Sequence, residues 1–516
     1  TTLVPRKPYT DAELETLYPP QLQLQLVQIL LRHGERTPVT ARFANAGLPA
    51  FWPYCNAVRH LRSAILSPEG DPEGDVFGAM AWKRRLETFG EHDAPVLAVG
   101  PKGEVDAICD FGMLTDKGRE TTTALGHRLR GLYVDRLGFL PPSIDSTEGL
   151  YLRATPIPRA LESLQQAFQG LYPAAHRASD LPAPTILMRS PADETLFPND
   201  SNCRRFAALS RAFAQRTAER WNDSGDMAYL TKKLGKWMPD GVVGVDARPR
   251  LSGLMDTINA TAAHGERTKL PKEFYDPKVK SIIEKIGVEE WYAGYRESQE
   301  YRTLGIGGLL GDVVARMVGS VERTAADGQY EIQQSRPAAP GGGGGATPSH
   351  VRFGMSGCHD TTLAGVLSSL GAFGHDAWPP FTSHIAIELF RGGTSGSAAD
   401  SKPSAPASSS RVSSLLGSAK AGTPPPGIGR KPSASLSEAE RRKIEGYYVR
   451  LRYNDEPVTI PGCKAPGKHW EGDESFCTLA AFKDIVDKFT PHDWKAQCRS
   501  NGNAPAFPEK IEPAGY

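Results

Sequence analysis

Arg32, His33 and Arg36 fall within one short stretch, Leu31-Arg32-His33-Gly34-Glu35-Arg36-Thr37-Pro38. Each arginine offers a planar, permanently charged fork that matches the oxygens of a phosphate. A neutral imidazole is a competent nucleophile near neutral pH. Gly34 lets the backbone come close to an anion. The grouping suits a site in which arginines grip a phosphate while a histidine attacks it. Arg-His-Gly also arises by chance, so this reading requires partners elsewhere in the chain.

Residues 21–31 read QLQLQLVQILL. Alternation of Leu with Gln passes into a nearly continuous apolar run, which predicts a strand entering a buried sheet. The motif therefore stands where that strand ends, and open α/β sheets bind ligands at the carboxyl ends of their strands. Pro38 keeps the following chain from continuing as a regular strand. Two later sites have the same form. Leu150-Tyr151-Leu152-Arg153-Ala154-Thr155 reads as a strand end carrying an arginine, with Arg159 following at the start of an amphipathic segment, 159–171. Phe353-Gly354-Met355-Ser356-Gly357-Cys358-His359-Asp360 places a second histidine and an aspartate after another short strand, before a helix-like stretch to Leu370.

Further helix is predicted over 115–137, and further strands over 383–390 and 447–453. The region from about 200 to 310 is helical and charged, with no convincing strand. This divides the chain into an α/β core over 20–199, an inserted helical cap over 200–310, and the rest of the core over 311–516. Two low-complexity segments, near 334–350 and 392–437, are too rich in Gly, Ser, Ala and Pro to offset chain entropy, and read as disordered insertions. The second joins two strands expected to pair.

Bulk properties narrow the function. The 516 residues carry a formal net charge of +1, which gives no electrostatic case for nucleic acid or an anionic membrane. No apolar run approaches the ~18 residues of a membrane span. The first twenty residues lack the apolar core of a secretory signal, which slightly favours an intracellular location, cytoplasmic or mitochondrial. The missing initiator Met is compatible with a leader already removed. Asn199, Asn222 and Asn259 begin glycosylation sequons, which fit secretion instead. Seven cysteines include no CxxC pair, against a zinc or thioredoxin-type site. Cys463 and Cys477 are open between a bridge and two free thiols.

RHGERTP together with the distant His359-Asp360 pair resembles the histidine acid phosphatase family, the acid-phosphatase branch of the histidine phosphatase superfamily. Met113-Leu114-Thr115-Asp116-Lys117-Gly118 is similar to the family's Leu-Thr-x-x-Gly helix start, and the segment from Trp378 to Glu388 to the stretch after its His-Asp pair. Leu196-Phe197-Pro198-Asn199 and Cys203 resemble the lysophosphatidic acid phosphatase-like subgroup. The resemblance implies a phosphoglycerate-mutase-like three-layer α/β core with a mainly parallel sheet. It implies His33 as nucleophile, forming a phosphohistidine, and Asp360 as proton donor to the leaving alcohol. Arg32, Arg36, Arg153 and His359 would bind the phosphate, and no metal or cofactor would be needed.

One departure stands out. Arg153-Ala154-Thr155-Pro156 replaces the family's Arg-Ser-Thr-Asp, keeping the arginine but adding a proline. Arg159 reads as a core residue forming a salt bridge. Thr37 is open between contacting phosphate and supporting the turn. His384, Glu388 and Cys358 read as packing residues, and Glu35 as incidental. The expected activity is a metal-independent acid phosphatase on a small phosphomonoester, with a lysophosphatidic acid phosphatase as one substrate reading. Phytase and an inactive phosphatase-fold interaction protein are the alternatives. Oligomeric state is left open.

Overall fold

The computed structural model describes residues 1–66, 76–322, 351–374, 377–393 and 427–516. Among the described residues twelve strands follow the chain: β1 Leu22–Arg32, β2 Leu61–Leu66, β3 Phe77–Trp82, β4 Glu87–Phe89, β5 Pro95–Leu97, β6 Leu150–Ala154, β7 Phe353–Cys358, β8 His384–Gly392, β9 Tyr447–Tyr453, β10 Glu456–Val458, β11 His469–Trp470 and β12 Asp473–Thr478. The main sheet runs β11-β12-β9-β8-β1-β7-β6, with β10 on β9; β2-β3 and β4-β5 form separate hairpins. β1, β7 and β6 are parallel neighbours, and pairing from β8 outward is antiparallel.

β1 shows why its sequence changes character midway. Its later half lies between β7 and β8 with both faces covered, so alternation gives way to a nearly continuous apolar run. Leu26 and Leu30 join one core cluster, while Val27, Ile29 and Leu31 join the other. Gln28, the polar exception, donates to the Val313 carbonyl at 3.1 Å and accepts from Arg316 at 2.7 Å.

Helices cover both faces. α1 is Asp11–Leu17; α2 (Asp116–Arg130) and α3 (Pro158–Leu171) bury Leu125, Leu129, Leu164 and Phe168 on one side. Next come α4 Arg204–Trp221, α5 Gly225–Leu234, α6 Leu251–Ala263, α7 Pro277–Glu297 and α8 Gln299–Glu322, with no strand among them. After β7 stand α9 Asp360–Ser369, α10 Glu438–Lys443, α11 Leu479–Asp487 and α12 Trp494–Arg499. α8, α9 and α11 pack on the opposite face, through Val313, Leu363 and Phe482. α8 is long and apolar enough to cross a membrane, but its apolar window is 83% buried inside the fold.

Three disulfides close: Cys55–Cys109, Cys203–Cys498 and Cys463–Cys477, leaving Cys358 as a buried thiol. The second ties the entry of α4 to α12, 295 residues on. Two sequon asparagines, Asn199 and Asn259, are buried, and Asn199 donates to the Pro191 and Glu194 carbonyls.

The expected pairing across the second insertion is present, with Ile387 opposite Leu451. The insertion itself is shorter than 392–437. Residues 427–437 fold as two 3-10 turns that bury Ile428 and Leu436, apolar residues that the Pro- and Ser-rich composition concealed. Residues 334–350 and 394–426 lie outside the described residues.

Candidate active site

The parallel strands bring the chemistry together. Arg32 is opposite Cys358 and Ala154 opposite Gly357, so β1, β7 and β6 end at one edge of the sheet. The next residues along the chain, His33, His359 and Thr155, meet there. The loop after β1 is pressed against the start of α2: a Cβ on Gly34 would stand 2.3 Å from the Gly118 carbonyl oxygen, so only glycine fits. Thr115, the N-cap of α2, donates through its backbone NH and its hydroxyl to the Glu35 carbonyl at 3.0 and 3.1 Å. Ser163 on α3 accepts the Gly34 NH at 3.1 Å.

His33 is buried, its ring 5.5 Å from that of His359 and 5.9 Å from that of Phe381. Its Nδ1 lies 2.8 Å from the Gly34 carbonyl. A carbonyl only accepts, so Nδ1 carries the proton and Nε2 keeps its lone pair. Burial, then Arg159, Arg32, Arg36 and His359, hold the imidazole well below its ordinary pKa. It is therefore neutral, as a nucleophile must be.

Arg32, Arg36 and Arg159 surround it. Arg32 forms a 2.7 Å ion pair with Asp360 and stacks 4.2 Å over the Phe381 ring. Arg36 pairs with Asp256 on α6 at 2.6 Å. Arg159, in the first turn of α3, has the largest electrostatic effect on both His33 and His359, and is itself brought down to about 10 by burial and by Arg36. The Nε of each of these three arginines is buried without a hydrogen-bond partner. A buried orphan donor costs roughly 1–3 kcal/mol, more on a charged group. Three cations around one neutral histidine describe a place for an anion.

His359 shares a 3.1 Å hydrogen bond between its Nε2 and the Thr155 hydroxyl. Asp360 follows as the first residue of α9. It accepts from the Trp378 indole NH at 2.9 Å and from the Thr361 NH at 2.8 Å. Burial raises its carboxyl, but Arg32 and the Trp378 hydrogen bond outweigh it and hold the group below the usual carboxylate range. Among the described residues no cluster of three or more His, Cys, Asp or Glu is arranged to hold a metal ion.

Arg153 is not in this cluster. Its guanidinium turns into the sheet's other neighbourhood, bonding Glu194 at 2.5 Å and Thr195 at 3.2 Å, with Asp312 at 3.7 Å. Both acids are almost fully buried. Arg159 stands in this cluster in its place, where the sequence reading had assigned it to a salt bridge. Arg153 acts one step behind: Glu194 also accepts the Thr195 and Leu196 amides, Leu196 accepts the Thr362 hydroxyl, and Phe197 packs 6.1 Å from His359.

The reading also missed Asp256 and Phe381. Asp256 takes Arg36, the Val39 NH at 3.1 Å and Arg42 at 3.3 Å. It is the sole charged residue of α6, a detectable signal in the sequence. Arg159 had a signal too: a cation in the first turn of a helix opposes the helix dipole unless an anion joins it. Thr37 supports the turn, its hydroxyl donating to the Asp110 carbonyl at 2.6 Å. Cys358 is buried with its thiol pushed up to about 12, so it is no nucleophile. Glu388 accepts from Tyr18, Tyr133, Arg450 and Arg452 in a closed network within the sheet. The site opens through a cleft of about 230 Å³, whose wall includes Val39, Met255, Trp291, Trp378 and Phe381.

The profile of the histidine phosphatase superfamily, branch 2, matches residues 23–454. A probable acid phosphatase of Schizosaccharomyces pombe is 35% identical over 93% of this chain and 95% of its own. Lysophosphatidic acid phosphatase type 6 of Bos taurus is 26% identical over 72% and 74%. Among solved structures, the apo phytase of Hafnia alvei superposes with a TM-score of 0.50 at 14% identity, covering 93% of this chain and 99% of the phytase; at that identity the likeness concerns the fold.

Proposed function

The chain belongs to branch 2 of the histidine phosphatase superfamily, and we propose that it is a metal-independent acid phosphatase acting through a phosphohistidine on His33. The observation that carries this reading is the convergence of Arg32, Arg36 and Arg159 on a buried, neutral histidine. Phosphoryl transfer needs mainly positioning and charge stabilisation, and Arg32, Arg36 and Arg159 supply both. His359 adds a hydrogen bond to the phosphate. His33 Nε2 attacks phosphorus, the P–O bond to the alcohol breaks, and Asp360 protonates the departing oxygen. A phosphate that draws Arg32 toward itself loosens the pair with Asp360, so the carboxyl takes up a proton as substrate binds. Water then attacks the phosphohistidine and returns its proton to Asp360.

The substrate reading is a monophosphate with an apolar leaving group, of the lysophosphatidic acid kind. Apolar and aromatic side chains wall the cleft, and once Arg32 and Arg36 grip the reacting phosphate, Arg42 is the remaining base of its lining, already beside Asp256. Phytate carries further phosphates that need further cations. The helical insertion read over 200–310 acts as the cap that shapes this cleft, through Asp256 and Met255 on α6 and Trp291 on α7. An inactive scaffold has no use for an intact anion site. Three disulfides fit an oxidising compartment and weigh against the intracellular location that the N-terminal sequence favours.

Hydrolysis of p-nitrophenyl phosphate in EDTA across pH 4–8, for wild type and His33→Ala, tests the activity. The reading requires wild-type turnover that the variant loses by at least ~10³-fold; an inactive wild type or an active variant refutes it. Lysophosphatidic acid against phytate then tests the substrate.

A further inference from the structure

Asn259 is a buried polar residue that the chemistry above leaves unused. It stands on α6, three residues after Asp256, and lines the cleft together with Ser252, Met255 and Asp256. These positions fall three and four apart, so a single stripe of the helix faces the site. Asn259 is only 6% exposed. An asparagine inside a helix commonly bonds a neighbouring backbone group. Among the described residues this one has no hydrogen-bond partner, backbone or side chain. Its amide oxygen and nitrogen are not sealed in the core either, and open into the cleft that the residue lines. A glycosylation acceptor needs a surface loop, so the sequon that begins at Asn259 does not account for a buried residue of a helix.

We propose that Asn259 binds a hydroxyl of the leaving alcohol, on the carbon next to the one that carries the phosphate. The proposal deepens the phosphatase reading and rests on it. A carboxamide both donates and accepts, whereas the oxygens of a phosphate dianion only accept. Arg32, Arg36, Arg159 and His359 already supply donors for those oxygens, and an amide carbonyl among them gains nothing. A hydroxyl asks for one acceptor and one donor, and the amide offers both. The neighbouring acids are taken: Asp256 by Arg36 and Arg42, and Asp360 by Arg32 and the Trp378 indole. A neutral amide thus remains for a neutral group. Its position fits as well. Asp256 holds Arg36, which grips the phosphate, and Asn259 follows ~4.5 Å further along the helix axis. That step matches the reach from a phosphate to a hydroxyl on the second carbon of its ester. The substrate class is therefore the phosphate monoester of a 1,2-diol, which includes the glycerol phosphate head of a lysophosphatidic acid. A site built to bond a hydroxyl rejects the analogue that lacks it, because its own polar group is then left without a partner.

The test compares kcat/KM for glycerol 3-phosphate with that for 3-hydroxypropyl phosphate, which lacks only the hydroxyl of the second carbon. It uses the full chain as wild type and as Asn259→Leu, a near-isosteric change that removes both donor and acceptor. The wild type should prefer the hydroxyl-bearing ester by at least ~10-fold, and the variant should bring that ratio to about 1. The ratio is taken within one protein, so a general loss from poor folding cancels, and the wild-type ratio needs no variant at all. A wild-type ratio near 1, or no turnover of either ester by an enzyme active on p-nitrophenyl phosphate, overturns this proposal alone. So does a ratio that Asn259→Leu leaves intact while all three substrates slow equally, which places the amide on the phosphate instead. A wild type inactive on p-nitrophenyl phosphate refutes the phosphatase reading, and the proposal falls with it.

Discussion

Arg32 and Asp360 meet at 2.7 Å where β1 and β7 end. In the proposed mechanism the guanidinium that grips the phosphate is the one that holds the carboxylate meant to protonate the leaving group. The two tasks then exclude each other in time, which would couple proton uptake by Asp360 to arrival of substrate. Asp360→Asn should therefore slow alkyl phosphates by about 10²–10⁴-fold, and p-nitrophenyl phosphate much less, because nitrophenolate leaves without a proton. Steady-state kcat on both substrates checks this; equal losses contradict the role of Asp360.

Arg159 and Arg153 separate function from framework. Arg159→Ala should lower kcat/KM by about 10²–10³-fold with little change in Tm, since the hydrogen bond it loses is a long one, 3.5 Å, to the Gly112 carbonyl. Arg153→Ala leaves Glu194 and Asp312 short of a buried cation and should destabilise by roughly 3–5 kcal/mol. Thermal melts beside kinetics distinguish the two.

Asp256 reaches the site from α6. Asp256→Asn weakens the anchor of Arg36 and should cost about 10-fold in kcat/KM, with Asp256→Glu recovering part of it. A loss confined to Tm, with kinetics unchanged, makes Asp256 a packing residue instead.

Much of this organisation is legible in the sequence. The change from alternation to a nearly continuous apolar run in β1 marks its passage between two covered faces, and the same strand-then-motif form locates β6 and β7. Arg32, His33, Arg36, His359 and Asp360 then gather at one edge because parallel strands end together. The choice between Arg153 and Arg159 is not legible in that way. It depends on which face of β6 holds Arg153, and that face contains Glu194 and Asp312, a loop and a helix far along the chain. Asp256 is hidden for the same reason: its partners are more than two hundred residues away. Disulfide pairing is likewise a product of the fold, not of cysteine spacing.

Glu388 gives a pH signature of the sheet. Burial raises its carboxyl, but Arg452 and Arg450 and the Tyr18 and Tyr133 hydroxyls bring it down to about 2. A depressed carboxylate adds stability above its unfolded value near 4.5, and that stability is lost as pH falls toward 2. The gap corresponds to roughly 3 kcal/mol. Acid unfolding followed by circular dichroism should show this limb between pH 4.5 and 2. Glu388→Gln should be destabilised at neutral pH and lose the limb; a variant as stable as wild type at pH 7 contradicts it.

The central claim is that His33 carries the phosphoryl group. Asp360→Asn still releases nitrophenolate but lacks the base for hydrolysis, so the intermediate should accumulate. Alkaline quench during turnover of p-nitrophenyl phosphate, followed by peptide mass spectrometry, should find one phosphoryl group on the peptide containing His33, stable to base and labile to acid. Phosphorylation of any other residue, or a pre-steady-state burst of nitrophenolate with no phosphorylated peptide, contradicts it.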